Sequence, residues 1–250
     1  MKRLQRLLVL VVLISLTMPF ASAQFYLGAR GGINLASMNT NIAGSENSSI
    51  IGIHGGITTR YQFMKKLSVG GDALFNTFGN KATTVLNVGN SNTTVETTTT
   101  ISYALVPIYI NYEIPLTPKQ LVPYRMKESF VSAHLYAGGY FGYALGATSG
   151  STTTVIYGDG TPTEVTTTPS GTLETDTYNA IDFGIMAGAG VSFRLDDAKR
   201  QRMGLDFRYY LGMSDFDVDA AATATNNAIG ISLSYSYKLT KRLYTSRHKN

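Results

Sequence analysis

From Ala228 to Leu239 the chain alternates without a break. Ile229, Ile231, Leu233, Tyr235, Tyr237 and Leu239 take the odd positions, and Ala228, Gly230, Ser232, Ser234, Ser236 and Lys238 the even ones. A period of two gives a β-strand with one apolar face and one small or polar face. Strands of soluble sheets average about five or six residues. This stretch is roughly twice that, close to the ~9–11 residues that a tilted strand needs to cross a bilayer.

The same pattern recurs along the chain. It predicts strands over 24–35, 50–63, 67–78, 101–113, 130–147, 178–195, 202–212 and 228–239. One face of these carries Leu27, Ile33, Ile53, Ile57, Val106, Ile108, Phe141, Ile185, Phe207 and their like. The other carries many glycines with Arg30, His54, Asp72, His134, Asp182, Arg194, Asp206 and Arg208. Tyr103, Tyr109 and Glu113 share that inner face on the fourth strand, where the inward parity is odd. Apolar outside and polar inside is the pattern of a transmembrane barrel. The predicted fold is therefore all-β: an eight-stranded, antiparallel, up-and-down transmembrane β-barrel.

The connections support this reading. Segments 38–49, 79–100, 148–177 and 213–227 are long and rich in Thr, Ser, Asn and Gly, whereas 64–66 and 196–201 are short. Outer-membrane barrels have long loops outside and short turns in the periplasm. The connection 114–129 departs from that rule, being long, basic and interrupted by Pro115, Pro118 and Pro123. An even strand count places both termini in the periplasm. Outward aromatics (Phe25, Tyr61, Phe63, Tyr112, Phe193, Tyr235, Tyr237) gather toward that end, as in an interfacial girdle. Threonine's β propensity predicts that some strands continue beyond the membrane as hairpins. Pro107 has no N–H for a ladder, which predicts a bulge at that point of a closed wall.

Residues 1–23 read as a secretory signal, not as structure. Lys2, Arg3 and Arg6 precede an apolar run from Leu7 to Met18, and Ala21-Ser22-Ala23 is a small-x-small cleavage site. The expected division is then a signal peptide over 1–23, a barrel over 24–239 and a basic periplasmic tail over 240–250, outside the wall. The formal charge of +5 falls to +2 without the signal's three cations, and Lys241, Arg242, Arg247 and Lys249 crowd the tail. The body is thus near neutral, which argues against nucleic acid as a partner. A chain without cysteine holds no disulfide and no thiolate metal site.

Three stretches carry a family resemblance: Ile101-Ser102-Tyr103-Ala104-Leu105-Val106-Pro107-Ile108-Tyr109-Ile110-Asn111-Tyr112, Tyr136 to Tyr143, and Gly204 to Gly212. They resemble strands of the Bacteroidetes-type outer-membrane β-barrel domain often labelled PorT-like. The resemblance spans essentially all of the mature chain and implies the outer membrane of a Gram-negative cell envelope. It implies little about activity. Leu105 and Asn111 stand where that family often has an acid and a lysine, which removes an interior ion pair common in its members.

An eight-stranded barrel is just wide enough for its own side chains to fill. Arg30, His54, Asp72, His134, Asp182, Arg194, Asp206 and Arg208 are accordingly the candidate site: an interior polar plug in which buried Arg and Asp must pair. His54 and His134 have Asp72 and Asp182 as possible neighbours, but no spacing motif joins a nucleophile, a base and an orienting group. No enzyme activity, cofactor or metal is expected. The expected role is structural or interactive, with small-solute porin and export accessory as the alternatives. The expected partners are outer-membrane lipids, the barrel-insertion machinery and a surface or envelope protein. The Thr-rich segments could bind such a partner or be solvated spacers.

Overall fold

The computed structural model describes residues 24–40, 45–88, 91–116, 130–157, 162–173, 178–196, 200–215 and 224–240. The expected signal peptide, all of the tail beyond Thr240 and most of the proline-bearing connection lie outside these residues. The strands are β1 (Gln24–Thr40), β2 (Ser45–Gln62), β3 (Leu67–Val88), β4 (Ser91–Pro115), β5 (Val131–Tyr157), β6 (Pro162–Thr172), β7 (Ile181–Arg194), β8 (Gln201–Gly212) and β9 (Ala224–Lys238).

Each strand pairs antiparallel with its neighbours. β1 to β5 are joined in chain order, β5 pairs β7, and β7, β8 and β9 follow until β9 returns to β1. The ring therefore has eight strands. Closure follows from the solvent: hydrocarbon offers no hydrogen bond to a free strand edge, so every wall amide must find a strand partner. β6 is outside the ring and pairs only with the upper part of β5, from Thr148↔Thr172 to Ile156↔Pro162.

Side-chain alternation is clear along the wall. In β8 the odd positions from Met203 to Tyr209 are exposed, and Arg202, Gly204, Asp206, Arg208 and Tyr210 between them are buried. Leu233 is 60 % exposed, Ile108 61 % and Ile51 74 %. A continuous apolar surface of this extent is untenable in water and is what a lipid-facing wall requires.

Two expectations are corrected. The first concerns the segments read as loops. Residues 79–88 belong to β3 and 91–100 to β4, paired from Gly79↔Thr100 to Val88↔Ser91, and β5 runs on to Tyr157. The threonine-rich sequence is thus largely a sheet standing beyond the bilayer, as its β propensity suggests. The boundaries were illegible because a strand that is wet on both faces has no apolar alternation to mark it. The second concerns Pro107. The bulge lies between Ser102 and Tyr103 against β5, where Leu145 is the extra residue. At Pro107 the β3–β4 register stays constant and the ladder merely skips, from Gly71↔Ile108 to Leu74↔Leu105. The missing N–H is accommodated by a gap in pairing, without an inserted residue.

The C-terminal edge of the wall reaches one residue further than the alternation. Leu239 N donates to Phe25 O at 2.8 Å, and Phe25 N donates to Thr240 Oγ1 at 3.1 Å. Thr240, expected as the first residue of a detached tail, thus touches the wall.

Lipid exposure of the odd positions of β9 sets a clear expectation. Leu233→Arg should lower folding stability in vesicles by roughly 2–4 kcal/mol, the penalty for a cation facing the bilayer centre. On a water-facing surface the same change would fall within about ±0.5 kcal/mol. Equilibrium unfolding by urea in lipid vesicles measures the difference.

Candidate functional site

Period two sends alternate residues of all eight wall strands into one narrow lumen, where they form layers along the axis. The middle layer is a chain of alternating charge. Arg30 (β1) lies between two carboxylates, 3.7 Å from Asp72 of β3 and 3.4 Å from Asp206 of β8. Arg208 meets the same Asp72 oxygen at 2.8 Å, and His134 Nε2 lies 2.7 Å from Asp206 Oδ1. The remaining carboxylate valences are met by hydroxyls: Thr58 donates to Asp72 at 2.7 Å and Tyr109 at 3.1 Å, while Ser234 donates to Asp206 at 3.3 Å.

Arg208 is the hub, with no exposed surface. Its Nε donates to the Tyr136 hydroxyl and its Nη1 to that of Tyr210, each at 3.1 Å. Its guanidinium lies 5.3 Å from the Tyr109 ring centroid and 5.2 Å from that of Tyr136. A planar, weakly hydrated cation suits such a site, since it offers edges to acceptors and faces to rings.

Toward the end with the short turns, Glu113 accepts a bidentate pair from Arg202 at 2.8 and 3.0 Å and lies 3.5 Å from Arg194. The Arg202 guanidinium lies 5.5 Å from the Tyr26 ring. Arg202 was not among the sequence candidates. Parity could have found it, since Gly204, Asp206 and Arg208 all share its face.

Above the charged layer is an amide layer. Asn34 donates to Asn76, and His54 Nδ1 lies 2.6 Å from Asn34 Oδ1. Of the possible pairings of His54 and His134 with Asp72 and Asp182 neither forms: His54 contacts an amide, and the acid beside His134 is Asp206. Asp182 also departs from the rule of Arg–Asp pairing. Its carboxylate accepts hydrogen bonds from Ser214, from Asn226 at 2.9 Å and from Tyr140 at 3.4 Å. It sits near the outer end, away from the arginines, because neutral donors converge there from β5, β9 and the segment after β8.

Phe78, Ile101, Leu105, Met38 and Met186 form an apolar cluster at that end with Tyr103, Tyr140 and Tyr210. Phe78 packs against Tyr103 and Tyr210 with ring centroids 5.6 and 5.9 Å apart. Met38, Phe78, Ile101 and Met186 are not singled out by the sequence, though parity from Asp72 reaches Leu74 and Phe78. Leu105 belongs to this cluster and Asn111 donates to Ser68 at 3.1 Å, so neither takes part in an ion pair.

Glycine makes the room. A Cβ on Gly70 would collide with the Tyr109 ring, and one on Gly188 with the Tyr136 ring. Small residues opposite large ones are how a narrow barrel fills its taper.

A closed antiparallel wall, apolar outside and filled with paired polar groups inside, defines a transmembrane β-barrel of the cell outer membrane. Residues 20–218 match the family described as outer membrane protein beta-barrel domain, and the chain belongs to that family. Among solved structures, neisserial surface protein A is similar at 12 % identity over 86 % of this chain and 98 % of its own, with a TM-score of 0.42. Ail of Yersinia pestis in complex with the heparin analogue sucrose octasulfate is similar at 10 % identity, 86 % and 99 % coverage and a TM-score of 0.35. The N-terminal barrel domain of Pseudomonas aeruginosa OprF is similar at 8 % identity, 86 % and 100 % coverage and a TM-score of 0.31. No curated protein matches the chain.

Two expectations follow from the lumen. Asp72→Ala and Arg208→Ala should each destabilise the barrel by about 3–5 kcal/mol, since each leaves a buried charge uncompensated. The double variant should cost less than the sum, with a coupling of about 0.5–3 kcal/mol in a double-mutant cycle. Gly70→Ala should cost about 1–3 kcal/mol through overpacking. The same Gly70→Ala change should cost less in a Tyr109→Leu background, where the displaced ring is gone although its hydrogen bond to Asp72 is lost as well; comparison of unfolding midpoints across the four variants reads the coupling.

Proposed function

We propose that this protein is a closed barrel with a structural or interaction role in the outer membrane, its lumen plugged by its own side chains. The observation that carries this reading is the chain His134–Asp206–Arg30–Asp72–Arg208, which crosses the lumen with buried groups held to one another. A solute would have to break these pairs, around which Tyr109, Tyr136 and Tyr210 close on Arg208 and Tyr136 stacks on His134. The lumen histidines and acids serve packing in this reading, without a catalytic role. The sheet beyond the bilayer is the part available to a surface or envelope partner.

A narrow, small-solute path is the second reading. His54 Nε2, Asn76 Nδ2, His134 Nδ1 and Ser232 Oγ are buried without a hydrogen-bond partner among the described residues. Buried polar atoms of this kind are ordinarily met by water, and a file of waters could thread the lumen. An accessory role in protein export rests on the PorT-like resemblance of residues 101–112, 136–143 and 204–212 alone.

Planar-bilayer recording separates the two main readings. The plugged barrel should show no stable channel, and Arg208→Ala should open a small, reproducible conductance. Wild-type channels that persist after the sheet beyond the bilayer is shortened would favour the solute path. Mild-detergent capture from native membranes would reveal whether the barrel travels with an export complex.

A further inference from the structure

Charge is distributed along the barrel axis with a different sign at each end. At the end where β1 begins, β9 finishes and the short turns lie, Lys65 and Lys66 are exposed between β2 and β3, and Arg200 is exposed between β7 and β8. The Lys66 ammonium lies 5.9 Å from the Tyr112 ring centroid, and Arg200 Nη1 donates to the Tyr237 hydroxyl at 3.3 Å. The nearby Asp196 accepts backbone N–H groups of Arg200 and Gln201 at 2.7 and 2.8 Å. Just inside this mouth, Arg194 and Arg202 share a single glutamate, Glu113.

In sequence, the stretch between β4 and β5 carries Lys119, Arg125 and Lys127 against Glu128, the stretch after Thr240 carries Lys241, Arg242, Arg247 and Lys249, and Asp196, Asp197, Lys199 and Arg200 between β7 and β8 balance one another. At the opposite end the described residues include Glu46, Glu96 and Asp215, with Lys81 paired to Glu96 at 2.9 Å.

The aromatic rings give the depth. Tyr112 and Tyr237 face outward, and amphipathic rings in such a girdle sit at headgroup level. Cations held against those rings lie at the depth of the lipid phosphates, where long basic side chains extend to meet them. The wall fixes contact with headgroups, and the charge on the rim selects among them. We propose that the periplasmic rim is a docking surface for anionic phospholipid headgroups of the inner leaflet, contacted by Lys65, Lys66 and Arg200.

The test folds the mature chain into phosphatidylcholine vesicles with spin-labelled phosphatidylglycerol or phosphatidylcholine as probe. Electron spin resonance then measures the motionally restricted lipid. Phosphatidylglycerol should associate about threefold or more better than phosphatidylcholine, consistent with several cations near an anionic surface. The combined Lys65→Glu, Lys66→Glu and Arg200→Glu variant, its fold verified by heat-shifted gel mobility, should bring the ratio close to one. Truncation after Thr240 should leave most of the preference. Salt near 1 M should erase it in the wild type, which keeps the test decisive if the triple variant does not fold. Equal association of the two probes in the wild type overturns the proposal, even if the rim then captures an acidic protein. A preference that survives the triple variant or high salt, or that vanishes on truncation alone, overturns it as well.

Discussion

Hydrocarbon cannot hydrogen-bond to a peptide, and nearly every feature of this structure follows from that. It obliges the eight wall strands to close, so that β4 pairs with β5 along its length and β9 returns to β1. It places Ile, Leu, Phe and Val on the outside, where a soluble protein would have charge. It also makes the lumen the only place within the membrane where polar side chains can gather. Even Pro107, which has no amide hydrogen to give, remains in a wall strand because the neighbouring pairs on both sides hold the register.

The lumen is the second consequence. Eight strands enclose a space about the size of the side chains that enter it, so charges there must satisfy each other. Arg30 between Asp72 and Asp206, and Arg208 between Asp72 and three tyrosines, meet that demand. Such networks add little net stability over apolar packing of equal volume. Their effect is to make one arrangement far better than its alternatives, because a one-residue slip of β1 or β8 would send Arg30 or Arg208 into lipid, and one of β3 would do the same to Asp72.

Beyond the bilayer the constraint lapses, and the structure changes character. β3, β4, β5 and β6 continue as a threonine-rich sheet with both faces wet, and β6 belongs to no ring. Only here can a strand keep an unpaired edge. Among the described residues the two ends also differ in charge, with Lys65, Lys66 and Arg200 at the short turns and Glu46, Glu96 and Asp215 where the strands reach outward. That difference lies along the membrane normal and so bears on which lipids and surfaces each end meets.

The fold was legible in the sequence because a lipid-facing wall writes itself as strict alternation over long strands. Residues 228–239 carried the lipid face, and the recurrence of their pattern over eight segments carried the barrel class. The same parity put Arg30, His54, Asp72, His134, Asp182, Arg194, Asp206 and Arg208 inside. Parity says which face a residue takes but nothing about its height along the axis or its neighbours across the lumen. Those depend on strand stagger, which is set by pairing between segments far apart in the chain. Only the tertiary structure therefore decided that His134 meets Asp206, that His54 meets Asn34, and that Asp182 lies among neutral donors. It likewise decided that Glu113 is gripped by Arg202, 89 residues along the chain. The strands beyond the membrane escaped for the opposite reason: with water on both faces, no burial pattern marked where they end.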